Sequence, residues 1–370
     1  MKRIVFTNIL MFFIVAAVFG GDEPVSPLRI DSPKMPALRA KIEIPEKIDV
    51  TKELKPGAVG EENEHWGERK SVYFGGLEID ETNGLQYVEP LKKEETEGKE
   101  YYEHIYCGET LTEIDYRDEK GNLKTDDKNE AAVIKQRYDK EGNLIEESSY
   151  NPDGTLKSDW YGYAIYRWEY DSKRTRIKGA FYDKDGKLTK KMLCDTAINT
   201  WTYDDKGNMV IWANYDPNGK LAKDILGIAA TKYEYDGSKR ETLAATYGTD
   251  RQLTNNKYGF AVSLQMYDDE KRTQLVARYD KDLKPVEIEG GCFVLLTIDA
   301  KGKWSESAFY DAEGKLRENP DGAAIIMNLN DEKNKSQYRR IYNKEKNLIS
   351  EWELDEKAGK WRQVNTEENQ

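Results

Sequence analysis

The chain has 370 residues, 57 Lys+Arg against 69 Asp+Glu, and a formal net charge of -12. That balance argues against a nucleic-acid partner, because phosphate backbones are held by basic surfaces. Only 38% of the residues are apolar, below the roughly 45–50% of an ordinary domain, yet 24 Tyr and 8 Trp exclude a solvating disordered chain. Polar and aromatic together suit thin β-structure, in which each strand buries one face.

At the start of the chain Lys2 and Arg3 precede an apolar stretch from Ile4 to Phe19, and Gly21-Asp22-Glu23-Pro24 come directly after it. A basic start, an apolar core and small Gly20 at the cut read as a secretory signal over residues 1–20. The apolar stretch is shorter than the ~20 residues of a spanning helix. The expectation is an exported protein of the periplasm, cell surface or medium, with no membrane span after cleavage. Cys107, Cys194 and Cys292 are odd in number and far apart, which is neither a disulfide framework nor a metal motif.

Residues 21–60 hold six of the eleven prolines, Pro24, Pro27, Pro33, Pro36, Pro45 and Pro56, and no aromatic residue. This segment reads as an extended linker that holds the rest of the chain away from something. Residues 61–97, with Trp66, Tyr73, Phe74 and Tyr87, read as an N-terminal cap on a repeat array.

That array runs from 98 to 361. Tyr106, Tyr138, Tyr170, Tyr203, Tyr235 and Tyr267, then Ile298 and Leu329, recur at steps of 31 to 33 residues. A second series, Tyr150, Tyr182, Tyr215, Tyr247, Tyr279, Tyr310 and Tyr342, trails the first by 12 or 13. Two independent series with one period define about eight units. An Ala often stands six before the first Tyr, as at Ala132, Ala164, Ala197, Ala229, Ala261 and Ala323. A small residue stands two before the second: Ser148, Ala180, Ala213, Ala245, Ala277, Ala308. Residues two apart share a strand face, so small residue and tyrosine form adjacent structural columns.

Turns such as Tyr182-Asp183-Lys184-Asp185-Gly186-Lys187-Leu188 use Asp to open and a positive-φ Gly to close. Where Gly gives way to Arg251, Leu283 or Lys346, a looser or differently shaped turn is expected. The fold class is therefore all-β: an elongated antiparallel β-meander, a repeat sheet of about eight 32-residue β-hairpin units and about 16 strands. A superhelical course and a closed ring stay open as alternatives. The shortened hairpin Trp352–Trp361 would cap the far end, and residues 362–370 form a polar tail.

Tyr138-Asp139-Lys140-Glu141-Gly142-Asn143-Leu144 and Tyr203-Asp204-Asp205-Lys206-Gly207-Asn208-Met209 resemble the YD repeats of RHS-type bacterial proteins. The frame Gly162-Tyr163-Ala164 … Tyr170-Asp171 … Phe181-Tyr182-Asp183 is similar to exported tandem arrays of 32-residue β-hairpin repeats. The resemblance covers about 98–361. It implies a β-strip in an envelope or surface setting and carries no catalytic residue with it.

The chemistry that can be sought is sparse. The two histidines are His65 and His104; a shared metal site would need both plus carboxylates. No nucleophile elbow, metalloprotease helix, phosphate loop or dinucleotide fingerprint is written in the chain, so no enzyme and no cofactor are expected. Turns such as Asp183-Lys184-Asp185-Gly186 and Asp216-Pro217-Asn218-Gly219 raise calcium, but a calcium loop spreads its ligands over 12 residues, and hairpin geometry accounts for them. Among Trp160, Trp168, Trp201, Trp212 and Trp304, Trp160 and Trp212 do not recur at repeat-equivalent places, which makes those two the candidate binding residues. The expected function is an exported, non-catalytic binding or scaffold module of the bacterial envelope, with an envelope polysaccharide or envelope protein as partner. The alternatives are a self-assembling surface protein and a secreted enzyme subunit with a site in 61–109.

Overall fold

The structure is a computed structural model. It describes residues 24, 27, 29–31, 33, 42–50, 68–80, 84–127, 130–287, 290–298, 304–331, 336–355 and 360–364. The expected signal segment, most of the linker, His65 and Trp66 lie outside these residues. The chain divides into two compact units. Of the described residues, one holds those within 43–230 and 248–251, the other those within 24–42, 231–247 and 252–364.

In the first unit β1 (Arg69–Asp80) and β2 (Gly84–Leu91) form a hairpin, and β1 pairs on its other side with β3 (Tyr101–Cys107). A short 3-10 turn at Lys93–Glu95 links β2 to β3. From β3 the chain meanders through β4 (Thr110–Arg117), β5 (Val133–Tyr138), β6 (Leu144–Tyr150), β7 (Ile165–Tyr170), β8 (Arg176–Tyr182), β9 (Ile198–Tyr203) and β10 (Met209–Tyr215). Each is antiparallel to its predecessor. The second unit carries β11 (Ala230–Tyr235), β12 (Glu241–Tyr247), β13 (Val262–Asp268), β14 (Thr273–Tyr279), β15 (Phe293–Ile298), β16 (Trp304–Tyr310), β17 (Ile325–Asp331), β18 (Ser336–Tyr342), β19 (Leu348–Asp355) and β20 (Lys360–Val364). Its strands from β12 onward pair in sequence order. Strands β3 to β18 are the sixteen strands of the eight repeats. The hairpins β1–β2 and β19–β20 flank them in sequence.

The small-residue and tyrosine columns are the core. Ala180, Ala213, Ala245, Ala277 and Ala308 are buried, as are Tyr182, Tyr215, Tyr247, Tyr279, Tyr310 and Tyr342, while Tyr150 is half-buried. The second column, Ala132, Ala164, Ala197, Ala229, Ala261 and Ala323, is buried too. Its backbone welds one repeat to the next. The N–H of Ala164 donates to Tyr182 O and its carbonyl accepts Ser149 N–H; Ala197 repeats this with Tyr215 and Phe181. Tyrosines of the first series tie units together differently: Tyr138 Oη donates to Leu111 O (3.0 Å), Tyr170 Oη to Leu144 O (2.8 Å) and Tyr267 Oη to Glu241 O (3.2 Å).

Opposite the small residue the side chain varies along the array. Lys135, Arg167 and Thr200 occupy that place in the first unit, Leu264 and Leu295 in the second. Buried Arg167 is held there by Glu146 (Nε to Oε2, 2.6 Å) and by the Tyr182 ring, 4.5 Å away.

The turns without glycine keep their shape. Arg251, Leu283 and Lys346 adopt φ of 65°, 60° and 66° and donate the same turn bond, to Gly248 O, Asp280 O and Asn343 O. The expected looser turn is not formed, because the ladder on both sides fixes the turn and the residue takes the left-handed strain, on the order of 1 kcal/mol.

Candidate functional site

In an antiparallel repeat the hairpin turns within units lie at one end of the strands and the connections between units at the other. In the first unit the within-unit turns are polar: Asp139–Asn143, Asp171–Thr175 and Asp204–Asn208. The connections at the opposite end are more elaborate. After the second tyrosine the chain turns through Asp and Gly, and a leucine bridges back to the tyrosine (Tyr150 with Leu156, Tyr182 with Leu188, Tyr215 with Leu221). A second turn then leads into the next strand. Asp183 Oδ1 accepts the N–H groups of Asp185 and Lys187, both at 2.9 Å, and Asp216 Oδ1 those of Asn218 and Lys220 at 2.8 and 2.9 Å. The leading carboxylate oxygen of each turn is thus spent on the turn itself.

The second turns carry apolar side chains into solvent. Trp160 is 50% exposed, Leu193 74%, and Met192 and Ile225 are likewise exposed. The loops that carry them are joined: Met192 N–H donates to Tyr161 O (2.6 Å) and Asp195 N–H to Lys223 O (3.1 Å). Beside this row lies an open groove of about 620 Å³ between the Asp216–Asn218 turn and Leu188–Lys190, Leu221–Lys223 and Asp195. Lys191 sits at the base of the loop with its ammonium 4.1 Å from the Phe181 ring, and burial pushes its pKa down.

The two candidate tryptophans are not brought together. Trp160 belongs to this edge. Trp212 is half-buried in mid-β10 opposite Trp201, and its indole N–H meets no acceptor among the described residues. On β7 and β8, Tyr166 stacks on Phe181 (4.3 Å) and packs against Trp168 (4.2 Å). Gly179 leaves the room: a Cβ there would stand 2.6 Å from Tyr166 Oη and 3.1 Å from the Trp201 ring.

In the 61–109 region, His104 is 5% exposed on β3, with its ring against Phe74 (4.7 Å) and Tyr87 (4.2 Å). Burial pulls its pKa down to about 4, so at neutral pH it is an uncharged core side chain. Cys107 approaches Thr112 Oγ1 (3.9 Å), and Cys107, Cys194 and Cys292 are unbridged.

Two features escape the periodic reading. The first is a charged version of the core in the first repeat. Arg117 stands where later repeats have the second tyrosine, and its bridge to Leu123 is the same. Asp115 stands in the small-residue place and Glu103 opposite it. Arg117 binds Glu103 (2.8 Å), Asp115 (2.5 Å) and Gly121 O (3.0 Å). Burial, then Glu113, raises the Asp115 pKa to about 6. The sequence did carry the signal: Arg117-Asp118-Glu119-Lys120-Gly121-Asn122-Leu123 has the turn grammar with its tyrosine replaced.

The second feature is the segment expected to act as a tether. Its described residues lie against the array. In the first unit Tyr215 Oη donates to Pro45 O (3.3 Å), Leu221 N–H to Glu46 O (3.1 Å) and Ile48 N–H to Gly219 O (2.8 Å), and Arg251 reaches Ile44 O and Glu46. In the second unit Tyr310 Oη donates to Pro27 O (2.9 Å), Ile30 N–H to Gly314 O (2.8 Å), Tyr279 Oη to Pro33 O (3.4 Å) and Lys346 Nζ to Pro24 O (3.4 Å). In the second unit Pro27 and Pro33, six residues apart, meet Tyr310 and Tyr279, which are successive members of the tyrosine series. Only the paired structure reveals this, because a proline-rich extended chain reads alike whether docked or free.

The chain's own strands define its class, an all-β hairpin-repeat protein. No protein-family model and no curated protein matches it. Among solved structures it is similar to TcdB2-TccC3 without its hypervariable C-terminal region: 13% identity over 80% of this chain, TM-score 0.25. It is similar to the Photorhabdus luminescens Tc holotoxin pore at 13% identity over 77% of this chain, TM-score 0.19. It is also similar to a protein of unknown function from Bacteroides fragilis, at 11% identity over 36% of this chain and 87% of that one, TM-score 0.16. The chain spans 16% of the length of each toxin-complex chain. No helix among the described residues is long and apolar enough to cross a membrane.

Proposed function

We propose that the protein is an exported, non-catalytic scaffold of the bacterial envelope that binds a partner along the inter-repeat edge of its first unit. The observation that carries this reading is the row Trp160, Met192, Leu193 and Ile225. These are large apolar side chains presented to water from consecutive, mutually hydrogen-bonded loops. Single exposed apolar residues are ordinary, but a row beside an open groove marks an interaction surface, and Trp is the residue most often found at the energetic centre of one. The secretory reading of residues 1–20 supplies the setting.

Cosedimentation of the mature protein with insoluble cell-wall polysaccharide, alongside capture from envelope extract, tests this. Trp160→Ala and Leu193→Ser are expected to weaken retention about tenfold or more without lowering thermal stability, since both side chains are exposed. Retention indifferent to both substitutions refutes the assignment of this edge.

A further inference from the structure

The turn between β7 and β8 is basic in an acidic chain. Ser172-Lys173-Arg174-Thr175-Arg176 holds three cations and no acid, although the whole chain carries a net -12. The turns Asp139–Asn143 and Asp204–Asn208 of the same unit close on Gly142 and Gly207, at φ of 87° and 80°; here Arg174 takes that place at 64°. The acid that opens the turn is committed to it: Asp171 Oδ1 accepts the N–H groups of Lys173 and Thr175, both at 2.8 Å. Lys173 and Arg174 are exposed, and neither they nor Arg176 form an ion pair among the described residues.

Arg176 carries this charge onto a row of rings. Its guanidinium lies 4.9 Å from the Trp168 ring and 5.9 Å from the Tyr170 ring, with Nη2 3.4 Å from Tyr170 Oη. Trp168 pairs across the ladder with Gly179, and Gly179 with Asn199, two before Trp201. A Cβ built at Gly179 would stand 3.1 Å from the Trp201 ring. Trp201 in turn pairs with Trp212. Residues directly opposite, and residues two apart on one strand, share a face. Trp168, Trp201 and Trp212 therefore cross β7 to β10 on one face, over about 14 Å at ordinary strand spacing. Arg176 covers Trp168, which is buried, while Trp201 and Trp212 beyond it are only half-buried.

We propose that this cationic and aromatic patch binds an acidic polysaccharide, one whose sugar rings carry carboxylates. A guanidinium seated over rings can receive a carboxylate through two parallel N–H groups. The flat C–H face of a pyranose covers an indole as another apolar surface would. A chain of such sugars carries further carboxylates to Lys173 and Arg174. An acidic peptide would meet the same cations and leave the row of rings unused. The patch lies at the opposite end of the strands from the Trp160 row, so it goes beyond the scaffold reading and names a second ligand for the first unit.

The test is fluorescence-anisotropy titration of the mature protein with a labelled oligogalacturonate. Two comparators are run on the unaltered protein: its methyl ester, which keeps the rings and loses the charge, and an oligoglutamate, which keeps the charge and lacks the rings. Saturable binding of the oligogalacturonate is expected, about tenfold or more tighter than either comparator and weakened by added salt. Lys173→Gln/Arg174→Gly returns the turn to the glycine of its neighbours and so keeps the fold, which a thermal melt checks. This variant and Arg176→Gln are each expected to weaken binding about tenfold or more. No binding of the oligogalacturonate, equal binding of the ester, or indifference to both variants overturns the proposal. Equal binding of oligoglutamate overturns it in favour of an acidic protein partner. Wall-polysaccharide retention that depends on Trp160 while oligogalacturonate fails to bind leaves the scaffold reading standing and removes only this one.

Discussion

Arg117→Tyr restores the repeat consensus at a core position and is nevertheless expected to destabilise the protein. Asp115 is 2% exposed. One carboxylate oxygen receives Arg117 Nη2 at 2.5 Å, and the other meets no donor among the described residues. Tyrosine removes the counter-charge and leaves a buried carboxylate unpaired. Breaking a buried pair costs about 3–5 kcal/mol. The Arg117 side chain is 25% exposed, so the lower end, about 3 kcal/mol, is the expectation. Adding Asp115→Ala then completes the Ala–Tyr pair that packs in later repeats, and the double variant is expected within about 1 kcal/mol of the parent. Urea unfolding at pH 7, with hydrogen exchange at the β4 amides to localise the loss, measures both. Equal destabilisation of single and double variants would refute the reasoning and place the cost in the lost Gly121 and Glu103 bonds. The pH dependence gives a second reading. A folded pKa raised from 3.8 to about 6 means the folded state holds the extra proton. The stabilisation is therefore complete below pH 3.8 and lost as pH rises through 6. The stability difference between the parent and Asp115→Ala must fall across that window.

His104 titrates in the opposite sense. Its folded pKa is lowered from 6.5 to about 4, so its contribution is present above pH 6.5 and lost as pH falls through 4, about 3 kcal/mol; His104→Leu should flatten that limb of the stability–pH curve, and an unchanged limb contradicts burial as the cause. Gly179→Ala should cost about 1–3 kcal/mol in a thermal or urea melt, because the added methyl meets Tyr166 and Trp201; Tyr166→Leu in the same chain should recover part of that loss, and no recovery would place the strain elsewhere.

Much of the architecture was legible in the residues. Two tyrosine series with one period, each with small residues at constant offset, fix strand length, pairing order and buried face, because period 2 within strands and period 32 between them leave a single consistent meander. The sixteen repeat strands agree with that reading, as does the burial of Tyr182, Tyr215 and Tyr310. Trp160 was found by its failure to recur, and it lies on an exposed edge. Trp212, found the same way, sits half-buried against Trp201, because aperiodicity marks a position as unusual without saying which way it faces.

The amino-acid order alone dictates whatever local chemistry repeats: hairpins closed by Asp and Gly, columns of Ala and Tyr, and a meander that pairs neighbours in order. The rest emerged from the folded molecule. Folding shows that the described residues of the proline-rich segment lie against the array, since their bonds run to partners 170 to 322 residues away and leave no local periodic trace of their own. Folding also shows that Arg117 and Asp115 form one buried pair, since the value of either charge depends on the other being within reach. And it shows Arg251, Leu283 and Lys346 held in glycine's conformation, since the ladder on both sides of a turn outweighs the preference of the residue within it.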